Sequence, residues 1–314
     1  MRPIILGICA AFFFAFTFIL NRMIELSGGS WIWSASLRYI FMVPFLLLLV
    51  TSRKNLGLLL KEMKINPSGW LLWSMVGFGL FYAPLCFAAA YGPGWLIAGT
   101  WQITIVSGTL LVPFFYETIQ TTKGPIRKRR TIPTKGLAWS SFILLGIALM
   151  QFEQAHQLTF KDVWFVVLPV LIASFAYPLG NRKMMELCAG RLDAYQRVLG
   201  MTLASLPFWL ILSIYGITTA GFPSQGQMVQ SLLVAICSGV IATVLFFRST
   251  DMASGNMQKL AAIEATQSME VLFTVLGEWL LGSPIPSGLS WMGMFLVILG
   301  MVSHSLKDKF SIRA

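Results

Sequence analysis

Apolar runs long enough to cross a bilayer recur along almost the whole chain, and they limit what it can fold into. They lie at roughly 3–23, 31–51, 69–91, 94–116, 135–151, 162–180, 195–216, 229–247, 258–281 and 286–306. Most are near the ~20 residues that an α-helix needs to span hydrocarbon. The expected fold is therefore an all-α membrane protein with ten transmembrane helices. Composition agrees: 56% of residues are hydrophobic, only 11% are charged, and the mean hydropathy is +0.74, which excludes an ordinary soluble domain. Arg2 ahead of the first run resembles the start of a secretory signal. No A-x-A-like site follows, and the run continues into Asn21-Arg22, so a retained first helix is expected. The cysteines, Cys9, Cys86, Cys188 and Cys237, are scattered without a C-x-x-C pair and read as packing residues rather than disulfides or metal ligands.

The net charge of +11 would suggest a nucleic-acid partner in a soluble chain, so the placement of the charge has to be weighed. If the N-terminus is inside, 20 of the 23 Lys and Arg residues fall on the inner side, leaving Arg22, Arg38 and Lys161 outside. The positive-inside rule then gives an integral protein of the cell membrane with both termini cytoplasmic and an even number of spans. The run "KGPIRKRR" at 123–130 reads as a cytoplasmic loop near anionic headgroups. Membrane lipids are expected partners and nucleic acid is not.

A degenerate internal repeat divides the chain. Glu25-Leu26 with Gly29 recurs 161 positions later as Glu186-Leu187 with Gly190, and Gly94 meets Gly255 and Glu117 meets Glu278 at the same offset. Beyond these the offset falls to 152, where "GLAW" at 136–139 matches "GLSW" at 288–291. Two five-helix halves follow, residues 1–155 and 156–314. Five is odd, so the second half enters the membrane upside down relative to the first. Inverted halves of this kind are a transporter architecture, with the substrate site near the midplane. A non-transporting scaffold left by an old duplication is the reading of another class.

The stretch "LFFRSTDMASGNMQKL" followed by "AAIEATQSMEVLFTVLGEWLLG" (245–282) resembles the eighth-to-ninth-helix region of EamA-like members of the drug/metabolite transporter superfamily. "SLRYIFMVPFLLLL" at 36–49 resembles that family's second helix with its Arg-aromatic pair, here Arg38-Tyr39, and "FYETI" at 115–119 the end of its fourth. The similarity runs in order over most of the chain and is greatest to the multidrug resistance efflux branch. It implies ten helices in two inverted repeats and secondary transport. The proline common in that family's fourth and ninth helices has no counterpart within them here, so no proline kink is expected in either.

The ninth run carries Glu264, Glu270 and Glu278. A charge at mid-bilayer costs roughly 2.5–3.5 kcal/mol on insertion scales, so such groups are functional candidates. At 100° per residue, Glu264, Thr266, Gln267, Glu270, Thr274 and Glu278 share one face, with Met269, Leu272, Phe273, Leu276 and Leu280 largely opposite. With entry near Lys259, Glu264 lies roughly 7 Å deep and Glu270 roughly 16 Å deep, while Glu278 reaches the outer surface as an interfacial anchor. A carboxylate near the midplane is costly to keep ionised and can alternate between a proton and a cation. Glu270, with Glu264 as an inner relay, is thus the candidate for proton coupling. The alternative for both acids is a buried ion pair, with Arg38, Arg197, Arg248 or Lys259 as partner.

Arg38 and its approximate counterpart Arg197 lie near the membrane edge. Either they snorkel, or together they form a site for an anionic substrate. Trp101-Gln102 falls opposite Glu264 to Gln267 in the repeat and would wall the same cavity, an aromatic surface beside a carboxylate that suits a lipophilic cation. Tyr39, beside Arg38, and Gln267 join Glu270, Glu264, Trp101, Gln102, Arg38 and Arg197 as candidates for the substrate or coupling site, while Tyr82, Tyr177 and Trp95 read mainly as packing or interfacial residues. Enzyme chemistry finds no support: the chain has no glycine-rich phosphate loop and no nucleophile–base set, and His156 with Asp162 does not match a membrane acyltransferase spacing. The resulting expectation is a proton-coupled antiporter exporting lipophilic or cationic drugs, with no cofactor. Its partners would be a small-molecule substrate, protons and a second copy of the chain. Export of a small metabolite such as an amino acid is the alternative.

Overall fold

The structure, a computed structural model, describes residues 2–92, 94–121, 124–132, 134–152, 159–280, 285 and 287–310. The side chains of Glu25, Trp95, Glu117 and Glu278 lie outside that description, as does His156 altogether. Helices α1 (Arg2–Leu26) and α2 (Trp31–Ser52) are followed by a short α3 (Leu56–Ile65) and a long helical run α4 (Pro67–Tyr91). The next apolar run is split into α5 (Gly94–Trp101) and α6 (Thr104–Leu110). The strands β1 (Tyr116–Thr121) and β2 (Gly124–Arg129) then lead to α7 (Thr134–Gln151). The second half contains α8 (Phe160–Cys188), α9 (Ala194–Ala220) and α10 (Gln225–Asp251). A broken pair, α11 (Met257–Ala265) and α12 (Met269–Leu280), and finally α13 (Gly288–Phe310) complete it.

Among the described residues, six helices are long and apolar enough to cross a membrane, and Leu96–Leu110, Leu137–Gln151 and Gly288–Ser303 are shorter apolar helices. Large apolar side chains stand exposed along the outer faces, such as Trp164, Phe165 and Ile172 on α8, Ile211 and Ile214 on α9, and Phe295 and Ile298 on α13. Such a surface suits hydrocarbon, where a helix satisfies its own backbone hydrogen bonds.

Two sequence expectations need correction. The fourth apolar run does not stay helical to 116. It breaks after Trp101, ends in a 3₁₀ turn at Val112–Phe114, and turns into an antiparallel hairpin pairing Tyr116 with Arg129; that 3₁₀ turn contains Pro113, so the run does hold a proline near its end, against the expectation that it has none. The sixth run, whose Pro178 and Gly180 point to a frayed or extended continuation, stays a regular helix beyond 180. Pro178 lies inside α8, which continues to Cys188 and stops where Ala189 (φ 45) and Gly190 (φ 76) turn left-handed. Gly180 is a crossing point instead: it packs directly on the backbone of Gly77, inside the π-helical turn Met75–Gly79 of α4.

Packing obeys an exchange rule. α2 packs on α9, and α7 on α13; α4 packs on α8 as α10 packs on α1, α4 on α9 as α10 on α2, and the α5/α6 pair on α8 as the α11/α12 pair on α1. Some irregularities follow the same rule and one does not. α4 and α10 each hold a π-helical stretch, Met75–Gly79 and Ala235–Ala242, and the fourth and ninth runs are each broken near their middle, but the π-helical stretch Val163–Val167 of α8 has no counterpart in α1. The ninth run is more enclosed than a two-faced helix would be. Its polar side is buried, and Val271 and Leu272 on another side pack with Ile143, Ile147 and Val297 of α7 and α13.

The Gly180 crossing leaves no room for a side chain. Gly180→Ala should destabilise the protein by about 1–3 kcal/mol, read as a lowered melting temperature in detergent. Gly57→Ala, at a position with nothing within contact distance, should leave it unchanged or slightly raised.

Candidate functional site

The two helix breaks bring together residues from both halves. Trp101, the last residue of α5, donates its indole Nε1–H to Glu270 Oε2 at 3.0 Å, and both side chains are buried. The indole also packs against Phe81 and Tyr177, with ring centroids 5.1 and 6.0 Å away. Arg38 comes in from α2. Its guanidinium carbon lies 4.0 Å from the centre of the Tyr82 ring and 5.6 Å from that of Tyr39, and its Nε has no hydrogen-bond partner. Arg38, Trp101, Gln267 and Glu270 line one cavity with Phe14, Thr17, Tyr177 and Ser238. The cavity is closed down to about 20 Å³, room for about one water. A hydrogen bond of 2.6 Å from Thr17 Oγ1 to Ser238 Oγ ties α1 to α10 at its edge.

The other expected residues go elsewhere. Glu264 is not free to relay protons: Arg182 grips it with two hydrogen bonds, Nε to Oε1 at 3.0 Å and Nη2 to Oε2 at 2.8 Å, and both residues are buried. Arg182 had been counted among the loop charges of the inner side, but the continuation of α8 carries it into the packed interior. The helix-stop signal at Gly190, rather than Pro178 or Gly180, would have revealed this. Gly108 of α6 faces the same carboxylate, and a methyl group there would overlap it. Arg197 is paired with Asp251 and reaches Asn181 Oδ1 at 3.4 Å. Arg38 and Arg197 therefore form no joint anion site, and with 2% exposure each they do not snorkel. Tyr39 stacks on Trp209 with centroids 4.4 Å apart and planes 6° apart. Gln102 is fully buried with neither amide atom partnered, and it does not line the cavity.

Tyr177, Thr17 and Ser238 are site residues that sequence reasoning missed. Tyr177 had been read as packing, and its hydroxyl has no hydrogen-bond partner. The two small hydroxyl residues carry no spacing signal in apolar runs. Among the described residues no cluster of His, Cys, Asp and Glu could hold a metal ion.

Comparison with known proteins matches residues 1–309 to a family model described as "EmrE: Putative multidrug resistance efflux transporter". The chain is 60% identical over 310 residues to the "Uncharacterized protein YjlA" of Bacillus subtilis (strain 168), covering 98% of this chain and 96% of that one. It is 48% identical over 270 residues to the "Uncharacterized 42.1 kDa protein in intracellular alkaline protease 3'region" of Shouchella clausii, covering 86% of this chain and 70% of the relative. A solved structure described as "Crystal structure of protein" has a TM-score of 0.72 at 11% identity, covering 98% of this chain and 97% of its own. That likeness is one of fold.

The Arg182–Glu264 pair makes a stability prediction. Glu264→Gln strands a buried guanidinium and should cost about 3–5 kcal/mol, whereas the double variant Arg182→Met with Glu264→Leu should recover most of that. Thermal unfolding of the three proteins in detergent checks the order. A double variant less stable than the single one would contradict it.

Proposed function

We propose that this chain, which belongs to the EmrE family of multidrug resistance efflux transporters, exports lipophilic, amine-bearing compounds by proton-coupled antiport. In this reading it has ten transmembrane helices in two inverted halves, residues 1–155 and 156–314, with both termini cytoplasmic. The packing supports two halves, because the main helix contacts of one half have partner contacts when the halves are exchanged. The placement of both helix breaks at the cavity fits a midplane site built from discontinuous helices.

The observation that carries the reading is Glu270. Among the described residues Glu264 and Asp251 each pair with an arginine, but Glu270 pairs with no cation. It accepts one hydrogen bond, from Trp101, and faces a cavity walled by aromatic rings. A carboxylate held in this way can exchange a proton for a protonated amine, with the rings covering the apolar body of the cargo. Protonation from one side releases the amine, and deprotonation on the other side restores the site. The closed cavity corresponds to a state between inward-open and outward-open forms of alternating access.

Purified protein in liposomes, given a fluorescent lipophilic amine and an imposed pH gradient, tests the reading. The wild type should accumulate the amine against its gradient while dissipating the pH difference, and Glu270→Gln should lose that drive. Trp101→Phe, which removes only the indole donor, should weaken it and shift its pH profile. Accumulation by Glu270→Gln with the wild-type pH profile would sink the proposal.

A further inference from the structure

We infer that the cavity at the basic end is the entry chamber of the transport path, and that the Arg182–Glu264 pair is the door between it and the central cavity. The inference rests on the reading of the central cavity as the transport site and adds the route by which a lipophilic amine reaches it.

The chamber has a volume of about 300 Å³, against about 20 Å³ for the central cavity. Phe115, Met185, Met257 and Leu260 give it an apolar wall, with Arg130 and Glu186 beside them. Methionine side chains let such a wall adapt to cargo of differing shape. Arg182 also borders the chamber, yet only 3% of its side chain is exposed, against 5% for Glu264. Its Nε and Nη2 donate to Glu264, while Nη1 meets the thioether of Met257 at 3.9 Å, a weak acceptor. Met257, Leu260, Glu264 and Gln267 follow one another at intervals of three or four residues and so share one side of the ninth run. The first two line the chamber and Gln267 lines the central cavity, so the ion pair stands between the two spaces. Gly108 of α6 closes on the carboxylate, where even a methyl group would overlap it.

A buried ion pair has the energetics of a door. Closed, each partner satisfies the other; parted, each regains water, and the chamber brings water to the edge of Arg182. This return of hydration offsets much of the cost of separation, which is why apolar residues of similar volume hold a packed interior as firmly as an ion pair or more so. An apolar plug gains nothing from water when it opens. Once the pair parts, Glu264 offers the ammonium group of the cargo a carboxylate on the way to Glu270. At the other end the cavity beside Asn21 and Trp31 is about 10 Å³, too small for cargo to wait in.

Two measurements test the door. In purified protein, a charged methanethiosulfonate reagent should modify Ser254→Cys, beside the chamber, quickly. It should modify Gln267→Cys, beyond the pair, at least about tenfold more slowly, the factor that ~1.4 kcal/mol carries. Each rate is read against the protein without the added cysteine. Arg182→Lys keeps the charge but loses the forked grip, and it should speed modification of Gln267→Cys without exposing the native Cys86, which is buried in α4. A pair that only braced the fold would expose both. In liposomes under a pH gradient, the double variant Arg182→Met with Glu264→Leu should keep a melting temperature near that of the wild type. Its turnover of the fluorescent amine should nevertheless fall at least about tenfold, because the apolar plug seldom parts. Equal modification of Ser254→Cys and Gln267→Cys, no acceleration by Arg182→Lys, or wild-type turnover in the stable double variant would each overturn the inference. If the double variant does not fold, the modification rates decide. Drive unaffected by Glu270→Gln would remove the functional reading, and the modification rates would still decide whether the pair partitions the two cavities.

Discussion

The paired hydrogen bonds between Arg182 and Glu264 hold the interior in register. They join α8 to α11 just before the 3₁₀ turn Thr266–Ser268 that breaks the ninth run, and Gly108 of α6 makes the room they need. Three helices are thereby fixed around one buried pair. Without Arg182, Glu264 would be a buried carboxyl group without a cation, costly to keep ionised in a low-dielectric interior. With it, Glu264 is spent on structure, and the turn that follows projects Gln267 and Glu270 towards the cavity. The difference between the two acids depends on this arrangement: the first is neutralised by its arginine, and the second faces the cavity.

Two broken runs meeting at one cavity also explain how the site is assembled from residues far apart in the chain. Trp101 ends α5, and Glu270 lies in the first turn of α12. Neither break contains a proline; Pro113 sits further on, in the 3₁₀ turn that closes the fourth run. The fourth run breaks at Gln102-Ile103, and the ninth break holds Gln267 in the same place. Each of these glutamines is buried with an unpartnered amide group. The breaks of the fourth and ninth runs thus share their position relative to a buried glutamine.

Much of this was legible in the sequence, for reasons that also account for what was not. The apolar runs and the basic loops are set by hydrocarbon thickness and by charge, so they read directly. The polar face of the ninth run was legible too, because Glu264, Thr266, Gln267, Glu270 and Thr274 fall at helical spacing and all are buried. What sequence could not supply was partner choice. Arg38, Arg197, Arg248 and Lys259 were reasonable partners for the acids, but the partner of Glu264 is Arg182. That residue lay beyond Pro178 and Gly180, which look like the end of a helix and are in fact a continued helix and a close crossing. The pairing of Arg197 with Asp251 likewise depends on the approach of α9 to α10, which no spacing within either helix records.

The two ends of the molecule are closed by different chemistry, which bears on how the cavity opens. At the basic end, four ion pairs cross between helices among the described residues: Arg53 with Asp193, Arg191 with Glu62, Arg182 with Glu264 and Arg197 with Asp251. At the opposite end the closure among the described residues is neutral. Trp33 Nε1 donates to Gly221 O at 2.9 Å, Gln227 Nε2 to Ser30 O at 2.6 Å, and Asn21 Nδ2 to Tyr82 Oη at 3.3 Å. The exposed pairs are worth little in high dielectric, but the buried Arg182–Glu264 pair resists separation unless water reaches it. Parting the neutral end exchanges hydrogen bonds with protein for hydrogen bonds with water at small net cost. Parting the basic end means hydrating a guanidinium and a carboxylate together. Tyr82 links the neutral closure to the site, since the ring that accepts Arg38 on its face also carries the hydroxyl bound by Asn21. The neutral closure is therefore joined directly to the surroundings of Arg38, and the Arg182–Glu264 pair to the turn that precedes Glu270.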